Sequence, residues 1–343
     1  MPYAGRMLRG PPEFISMTIS PRISIIMAAY NAEPHIEPAL DSLTRQTFDD
    51  WELIVVDDGS QDATCAIVGA RAERDARIRC IRLDVNGGPA IARNAGLAMA
   101  RGEWVTVLDS DDRYEANRLE VLLDRATRDG LDIIADNLLL YDEAAHSIIC
   151  RGFAFAGETR ALTPALLVAN DGPPRIASLG HLKPFIRRDF LTGTGVTYPA
   201  EARLGEDFCF LFELLRRTER ATLIDYAGYV YTLPFSAARG ERASGTRTSY
   251  GADGLDDLRR TNGHLVDALA RDQGGDRRLL AQLSQRGARL RDEGAWRQAR
   301  RHVKARDFLA AARLLSRIDV SFGWAQLLRL MQRRKGRFQT ALR

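Results

Sequence analysis

Three carboxylates stand within four residues at Asp109, Asp111 and Asp112, directly behind the apolar run Trp104-Val-Thr-Val-Leu108. Val105, Val107 and Leu108 read as a strand inside a sheet, so the acids fall where that strand stops. In open α/β sheets, ligands collect at the carboxyl ends of strands. Like charges this close repel, which makes sense if a cation or its ligand sits between them. Asp109 and Asp111 are two apart, leave the same side of an extended chain and can face one ion. An acidic turn capping the next helix explains the same residues, and a lone Asp-x-Asp does not choose between the two. Other polar residues end other apolar runs: Tyr30 and Asn31 follow the run from Ile23, and Asp57 and Asp58 follow the run from Glu52. Neighbouring parallel strands lie roughly 4.8 Å apart, so all of these can line one cleft. An aromatic ring stacks on a base, a carboxylate accepts a base N–H or a sugar hydroxyl, and a carboxylate pair holds a metal on a diphosphate. Together they describe a site for a nucleoside diphosphate. Neither G-x-x-x-x-G-K-[ST] nor G-x-G-x-x-G after a strand is present, which disfavours ATP hydrolysis and dinucleotide chemistry.

The elements that must position these residues alternate. A helix with Ile36, Leu40 and Leu43 on one face follows the first strand. Helix, strand and helix then continue through Ala63 to Arg74, Ile78 to Leu83 and Pro89 to Ala100, with Pro89 in a first helical turn, where its missing N–H is not needed. Such alternation predicts a parallel sheet with right-handed crossovers. Leu131 to Tyr141 and Ser147 to Phe155 read as further strands, followed by a loop region with Pro164, Pro173 and Pro174. Phe208, Leu211, Phe212 and Leu215 recur at helical spacing, with Glu206 and Asp207 at the amino end of that helix. Acids there act as caps and interact well with the helix dipole, worth about 0.5–2 kcal/mol as a cap. Lys183, Arg187 and Arg188 are candidates for contacts to phosphate or acidic sugar, and read equally well as solvated charge.

Ala28-Ala-Tyr-Asn31, Val56-Asp-Asp-Gly-Ser60, Asn86-Gly-Gly-Pro-Ala-Ile-Ala-Arg-Asn-Ala-Gly96 and Leu108-Asp-Ser-Asp-Asp112 stand in that order. From Arg22 to Leu233 the chain resembles the family 2 inverting glycosyltransferases of the GT-A fold, above all bacterial enzymes of exopolysaccharide assembly of the succinoglycan type. The resemblance implies an α/β fold, a GT-A-type nucleotide-binding mixed sheet flanked by helices, with a C-terminal basic helical appendage. It implies a nucleotide-sugar donor, a UDP-sugar, and a glycan or lipid-linked oligosaccharide acceptor. Tyr30 and Asp58 would lie near the base, Ala28, Asn31 and Asp57 would also bind the donor, Asp109 would lie near the ribose, and Asp111 with Asp109 at a Mn²⁺ or Mg²⁺ ion. Asn86 to Asn94, Gly87 among them, would border the nucleotide and sugar, with Arg93 as a diphosphate contact or, alternatively, part of a solvated helix face. The Glu-Asp block implies Asp207 as catalytic base, with Glu206, Lys183 and Asp112 on the acceptor side. One base and no protein nucleophile mean a single in-line displacement, hence inversion.

Charge divides the 343 residues. Arg286 to Arg343 holds sixteen Lys/Arg against four Asp/Glu, a balance of +12, whereas everything before carries −8, which together give the overall +4. Helices are expected over Leu255 to Arg271, Arg277 to Glu293, Trp296 to Lys304, Asp307 to Arg317 and Phe322 to Arg334. Their Leu, Trp and Phe residues face Arg-rich sides, which suits an anionic membrane surface or a small bundle with a charged exterior. No nucleic-acid motif accompanies the charge, so no nucleic acid is expected as a partner. Four cysteines, far apart and without a C-x-x-C pair, suggest neither a zinc site nor a disulfide framework. No apolar run reaches the roughly 18 residues of a membrane span, and the first residues lack the apolar core of a signal peptide. The expected location is cytoplasmic, peripheral on the cytoplasmic face of the inner membrane where the tail engages it. The expected organisation is a disordered extension over 1–20, with Met17 an alternative start, and a transferase domain over 21–235. Its donor half is 21–130 and its acceptor half 131–235, followed by a mobile loop over 236–250 and a helical region over 251–343. Two rival functions remain open at this level: a non-catalytic module that binds nucleotide sugar or glycan, and an Asp-dependent phosphatase using Asp109 and Asp111. The second would need Thr or Val where Arg113 stands, and the usual downstream Lys is not supplied.

Overall fold

The computed structural model describes residues 20–154, 157–171, 177–233, 252–272, 276–324 and 326. Residues 1–19 of the N-terminal extension, the expected loop over 236–250 and most of the expected helix over 322–334 fall outside them. Within them the chain runs β1 (Ile23–Ala29), α1 (Ile36–Thr44), β2 (Trp51–Asp57), α2 (Thr64–Ala72), β3 (Ile78–Arg82), α3 (Pro89–Met99) and β4 (Trp104–Val107). It continues through β5 (Arg113–Tyr114), α4 (Arg118–Arg128), β6 (Ile133–Asp142), β7 (Ser147–Arg151), β8 (Thr159–Ala161), α5 (Pro164–Ala169) and a 3-10 turn (Leu179–His181). Then come β9 (Phe185–Arg187), α6 (Arg188–Thr194), α7 (Glu206–Leu215), β10 (Ala221–Thr232), α8 (Ala252–Arg271), α9 (Arg277–Lys304) and α10 (Phe308–Leu315).

All strands join one sheet in the order β3-β2-β1-β4-β9-β6-β10-β5, with β7 added to β6 and β8 to β10. β3, β2, β1 and β4 pair in parallel, as alternation with helices demands. The residues of β2, β1 and β4 are almost wholly buried, because helices cover both faces and leave no polar side, whereas β3 at the edge is mostly half-buried. The sheet is mixed because β9, only three residues long, runs antiparallel between β4 and β6. That short strand fuses the two halves into one sheet and brings Lys183, two residues before it, to the end of β4.

Several elements differ from expectation. The Asp109 to Asp112 segment is a turn and not an extended chain, since the Asp112 N–H donates to the Asp109 carbonyl at 3.1 Å. β10 had no alternating signature, because its register shifts twice, around Ala227. The second expected strand stops at Arg151, before Gly152. Two helices expected over 277–304 are one, α9, which runs through Gly294 without a break, a single interior glycine costing only about 1 kcal/mol.

Arg118 fixes the junction between the halves. Its side chain is wholly buried, donates to Asp136 at 3.0 and 2.8 Å and gives a further bond to the Lys183 carbonyl at 2.6 Å. Its guanidinium lies 4.2 Å from the centre of the Tyr114 ring and 5.2 Å from that of Tyr229. Nη1 has no hydrogen-bond partner among the described residues, but the bonds through Nε and Nη2 fix the buried pair and orient the chain on either side of it.

Candidate functional site

β4 ends at Val107, and β10 catches the turn behind it. The Asp109 N–H donates to the Tyr229 hydroxyl at 3.2 Å, that hydroxyl donates to Asp112 Oδ2 at 2.7 Å, and the Thr232 N–H donates to Asp112 Oδ1 at 2.7 Å. Asp112 is therefore a buried anchor between the turn and β10, not an acceptor-side group, because both its oxygens are spent on that strand.

The turn instead presents Asp109 to two cations. Arg93 Nη2 lies 2.7 Å from Asp109 Oδ1 and Lys183 Nζ lies 2.9 Å from Asp109 Oδ2. The same cations reach the start of α7: Arg93 Nη1 is 2.6 Å from Glu206 Oε1 and 3.1 Å from Asp207 Oδ1, and Lys183 Nζ is 2.6 Å from Asp207 Oδ2. Both cations are almost fully buried, at 5% and 4% side-chain exposure. Neither is the solvated charge that the sequence equally allowed; Arg93 engages carboxylates through Nη1 and Nη2 where a diphosphate contact was expected, and its buried Nε has no hydrogen-bond partner among the described residues. Tyr198 lies beside the guanidinium, 5.5 Å from its ring centre, stacked on Phe210 and held by Asn94 through both backbone groups. The Asp207 Oδ1 contact is an ion pair without hydrogen-bond alignment, so this buried oxygen has no hydrogen-bond donor among the described residues.

Charge is unbalanced here. Burial opposes ionisation of Asp109, but the charges and hydrogen bonds of Lys183 and Arg93 outweigh it and hold the carboxyl well below its usual range. Asp111 has no ion pair among the described residues; burial and the charge of Asp109 push it up to about 6. Burial and its neighbours Asp111 and Asp109 also raise Asp112, and burial with the charge of Asp207 raises Glu206. No cage of three His, Cys, Asp or Glu groups forms among the described residues. A divalent ion nonetheless fits, because such ions bind nucleotides through one or two carboxylates plus diphosphate oxygens. Asp111 is the carboxylate free to serve, whereas Asp109 is already neutralised twice.

The remaining expected residues build the cleft wall. Asn31, at φ +49°, takes the Gln61 N–H on its side-chain oxygen and gives its own N–H to Ser60 Oγ, tying the loops after β1 and β2. Asp57 is wholly buried and accepts the Ser60 N–H, while Asp58 accepts the Gly87 and Gly88 N–H groups at 2.8 and 2.7 Å. Ala28 lies in β1, and Tyr30 at its end is 41% exposed and free to stack. Asn86 accepts from Arg203 Nη1 at 3.1 Å, and Arg203 lies over Gly88, where a Cβ would come within 2.6 Å of it. Arg203 and Tyr198 escaped sequence reasoning because neither sits in a motif block. Arg187 and Arg188 are bound elsewhere, to Asp132 and to the Gly102 carbonyl, and do not enter the cleft.

A cleft at parallel strand ends, lined by acids and closed by a helix bearing two more, marks a transferase that acts on a nucleotide-linked group. Residues 24–149 match the model of the family described as Glycosyl transferase family 2. The succinoglycan biosynthesis protein ExoU of Rhizobium meliloti is 32% identical over 293 residues, covering 83% of this chain and 76% of that protein. The chain belongs to glycosyl transferase family 2. ExoO of the same organism, also named for succinoglycan biosynthesis, is 37% identical over 212 residues, 62% of this chain. The chain spans about 60% of the length of ExoO. The fold is the GT-A type: the structure of S. aureus TarS 1-349 in complex with UDP-GlcNAc superimposes with a TM-score of 0.57 at 18% identity, covering 86% of this chain and 90% of that one.

Replacing Lys183 with Met should leave Asp109 with Arg93 as its sole cation partner, so its carboxyl should titrate at higher pH than in the parent. A ¹³C titration of the aspartate side chains reads this, and an unmoved Asp109 would show that Lys183 does not set its charge.

Proposed function

We propose that the chain is an inverting glycosyltransferase that moves a sugar from a UDP-sugar to a glycan or lipid-linked oligosaccharide acceptor in bacterial exopolysaccharide synthesis. The observation that carries this reading is the Asp207 carboxylate, held by Lys183 and Arg93 beside the acids at the end of β4, with its buried Oδ1 without a hydrogen-bond donor among the described residues. Two relatives named for succinoglycan biosynthesis and a UDP-GlcNAc complex of a protein with this fold support the pathway and the donor. Tyr30 stacks on the base, Asp58 and the Asn86-Gly87 loop border the nucleotide, and Asp207 takes the proton of the acceptor hydroxyl. The hydroxyl oxygen bonds to the anomeric carbon as the bond from that carbon to the diphosphate oxygen breaks. The diphosphate leaves with the bonding pair, and attack from the opposite face inverts the configuration. The family generally uses a divalent cation; Mn²⁺ or Mg²⁺ held by Asp111, with Asp109 beside it, would neutralise the departing diphosphate as a Lewis acid.

The C-terminal helices are read as a surface contact to an anionic membrane. Phe308, Leu309, Val320 and Trp324 are exposed by 63–73%, among the exposed basic residues Lys304, Arg306, Arg313 and Arg317. No helix among the described residues is long and apolar enough to cross a membrane. Each basic side chain near such a surface contributes about 1 kcal/mol.

The tests follow the roles. Asp207→Asn should keep UDP affinity and lose transfer by roughly 10² or more, the scale of a lost general base, while Glu206→Gln loses less. Near-parental transfer by Asp207→Asn would move the base elsewhere. Asp111→Asn should abolish Mn²⁺-dependent UDP binding, and in the parent that binding should weaken below pH 6 as protons compete for Asp111. Metal dependence surviving in the variant would remove Asp111 from the ion. Sedimentation with phosphatidylglycerol vesicles should fall with salt and fall again when Phe308, Leu309 and Trp324 are changed to Ser; equal partition of parent and variant would leave the helices as a structural bundle only.

A further inference from the structure

The basic C-terminal stretch begins with a residue that is not on the surface. Arg286 of α9 is 2% exposed. Its Nε and Nη2 donate to Asp171 Oδ2 at 2.9 and 2.5 Å, and its Nη1 donates to Asn262 Oδ1 of α8 at 2.8 Å. Its guanidinium carbon stands 3.8 Å from the centre of the Phe208 ring. Phe208 follows Asp207 directly on α7. The same α8 packs on Gly205 at that helix start, whose φ of +82° and contact with Leu258, 2.7 Å from a would-be Cβ, leave no room for a side chain. Asp171 carries the contact further. Its second oxygen accepts from Ser178 Oγ at 2.5 Å, and the Ser178 N–H donates to His181 Nδ1 at 2.9 Å, two residues before Lys183. One guanidinium thus touches the helix that delivers Asp207 and is linked, through Asp171 and Ser178, to the segment that delivers its cation partner.

We propose that Arg286 is a positioning residue for the transfer reaction: it fixes the start of α7 and so aims Asp207, which makes the C-terminal helices part of the catalytic apparatus. This rests on the reading of Asp207 as the base. The planar fork spans Asp171 and Asn262 while its face lies on Phe208, a combination that a lysine ammonium cannot reproduce. Loss of alignment by about 1 Å is enough to slow a positioned reaction ~100-fold.

The experiment uses the full chain with UDP-glucose, UDP-galactose and UDP-N-acetylglucosamine, water as acceptor and UDP release as the signal, alongside UDP affinity and thermal midpoint. Arg286→Lys should lower kcat about 10- to 100-fold, with UDP affinity and the donor KM within about twofold of the parent. Since Arg286→Lys alone risks misfolding, the paired change Arg286→Met with Asp171→Leu fills the same space with apolar groups, an exchange that commonly preserves stability. It should fold, bind UDP and show the same kcat loss. Parental kcat in the paired variant, or kcat and UDP affinity falling together with the folded fraction, would reduce Arg286 to a stability element and overturn the proposal. UDP release that persists in Asp207→Asn would overturn the base assignment beneath it, whatever the Arg286 variants do.

Discussion

Two buried cations shared among three carboxylates, one buried and two half-buried, set the geometry of this protein. Arg93 and Lys183 join Asp109 at the end of β4 to Glu206 and Asp207 at the start of α7. Burying such charges is expensive, and removing one partner of a buried pair typically costs 3–5 kcal/mol as an order of magnitude. The cost is tolerable here because each cation serves more than one acceptor. The network also spans the molecule: Arg93 comes from α3, Lys183 from the approach to β9, and the acids from β4 and α7. Bringing Lys183 there requires the antiparallel β9 wedged between β4 and β6, and Arg118 holds its carbonyl in place. The mixed sheet and the ion network are therefore two views of one constraint.

How much of this could be read from residues alone depends on whether the signal was local. The apolar runs at Ile23, Glu52 and Trp104 declared their strands, and the stripe of Phe208, Leu211, Phe212 and Leu215 declared α7, because burial on both faces or on one stripe leaves a periodic mark. The acids at the ends of those runs followed at once. β9 left no mark, being three residues long, and β10 lost its alternation to two register shifts. Arg93 and Lys183 were visible as charges but not as partners, since pairing across 16 to 113 residues of sequence depends on the tertiary fold. Asp112 failed as a site residue for the same reason: only the arrival of β10 turns it away from the cleft.

The tail shows the same limit in another form. Its +12 balance was legible, but composition does not say which arginines face inward. Arg286 and Trp296 are buried, whereas Phe308, Leu309 and Trp324 are exposed. The bundle packed on α7 and the surface carrying apolar and basic residues thus belong to successive stretches of the tail, α9 and then α10 with the residues after it. Attachment to a surface through the later stretch and bracing of α7 through the earlier one do not compete for residues.

Protonation gives the site an internal tension that argues for its ligands. Asp109 is held below its usual range, so its contribution to stability is present above its unfolded titration point and is lost only on acidification through its folded one. Asp111 is the reverse case. Its carboxyl is raised to about 6, so the folded state binds the proton more tightly than the unfolded chain, and stability falls as pH rises from about 4 through 6. At neutral pH the ionised Asp111 is thus a destabilising charge beside a neutralised Asp109. A divalent ion at Asp111 would relieve that repulsion, and a diphosphate would then meet a cation instead of bare carboxylates. On the proposed reading, ion and nucleotide each need the other to enter an acidic cleft, whereas Asp207, anchored by Lys183 and Arg93, needs neither to be in place.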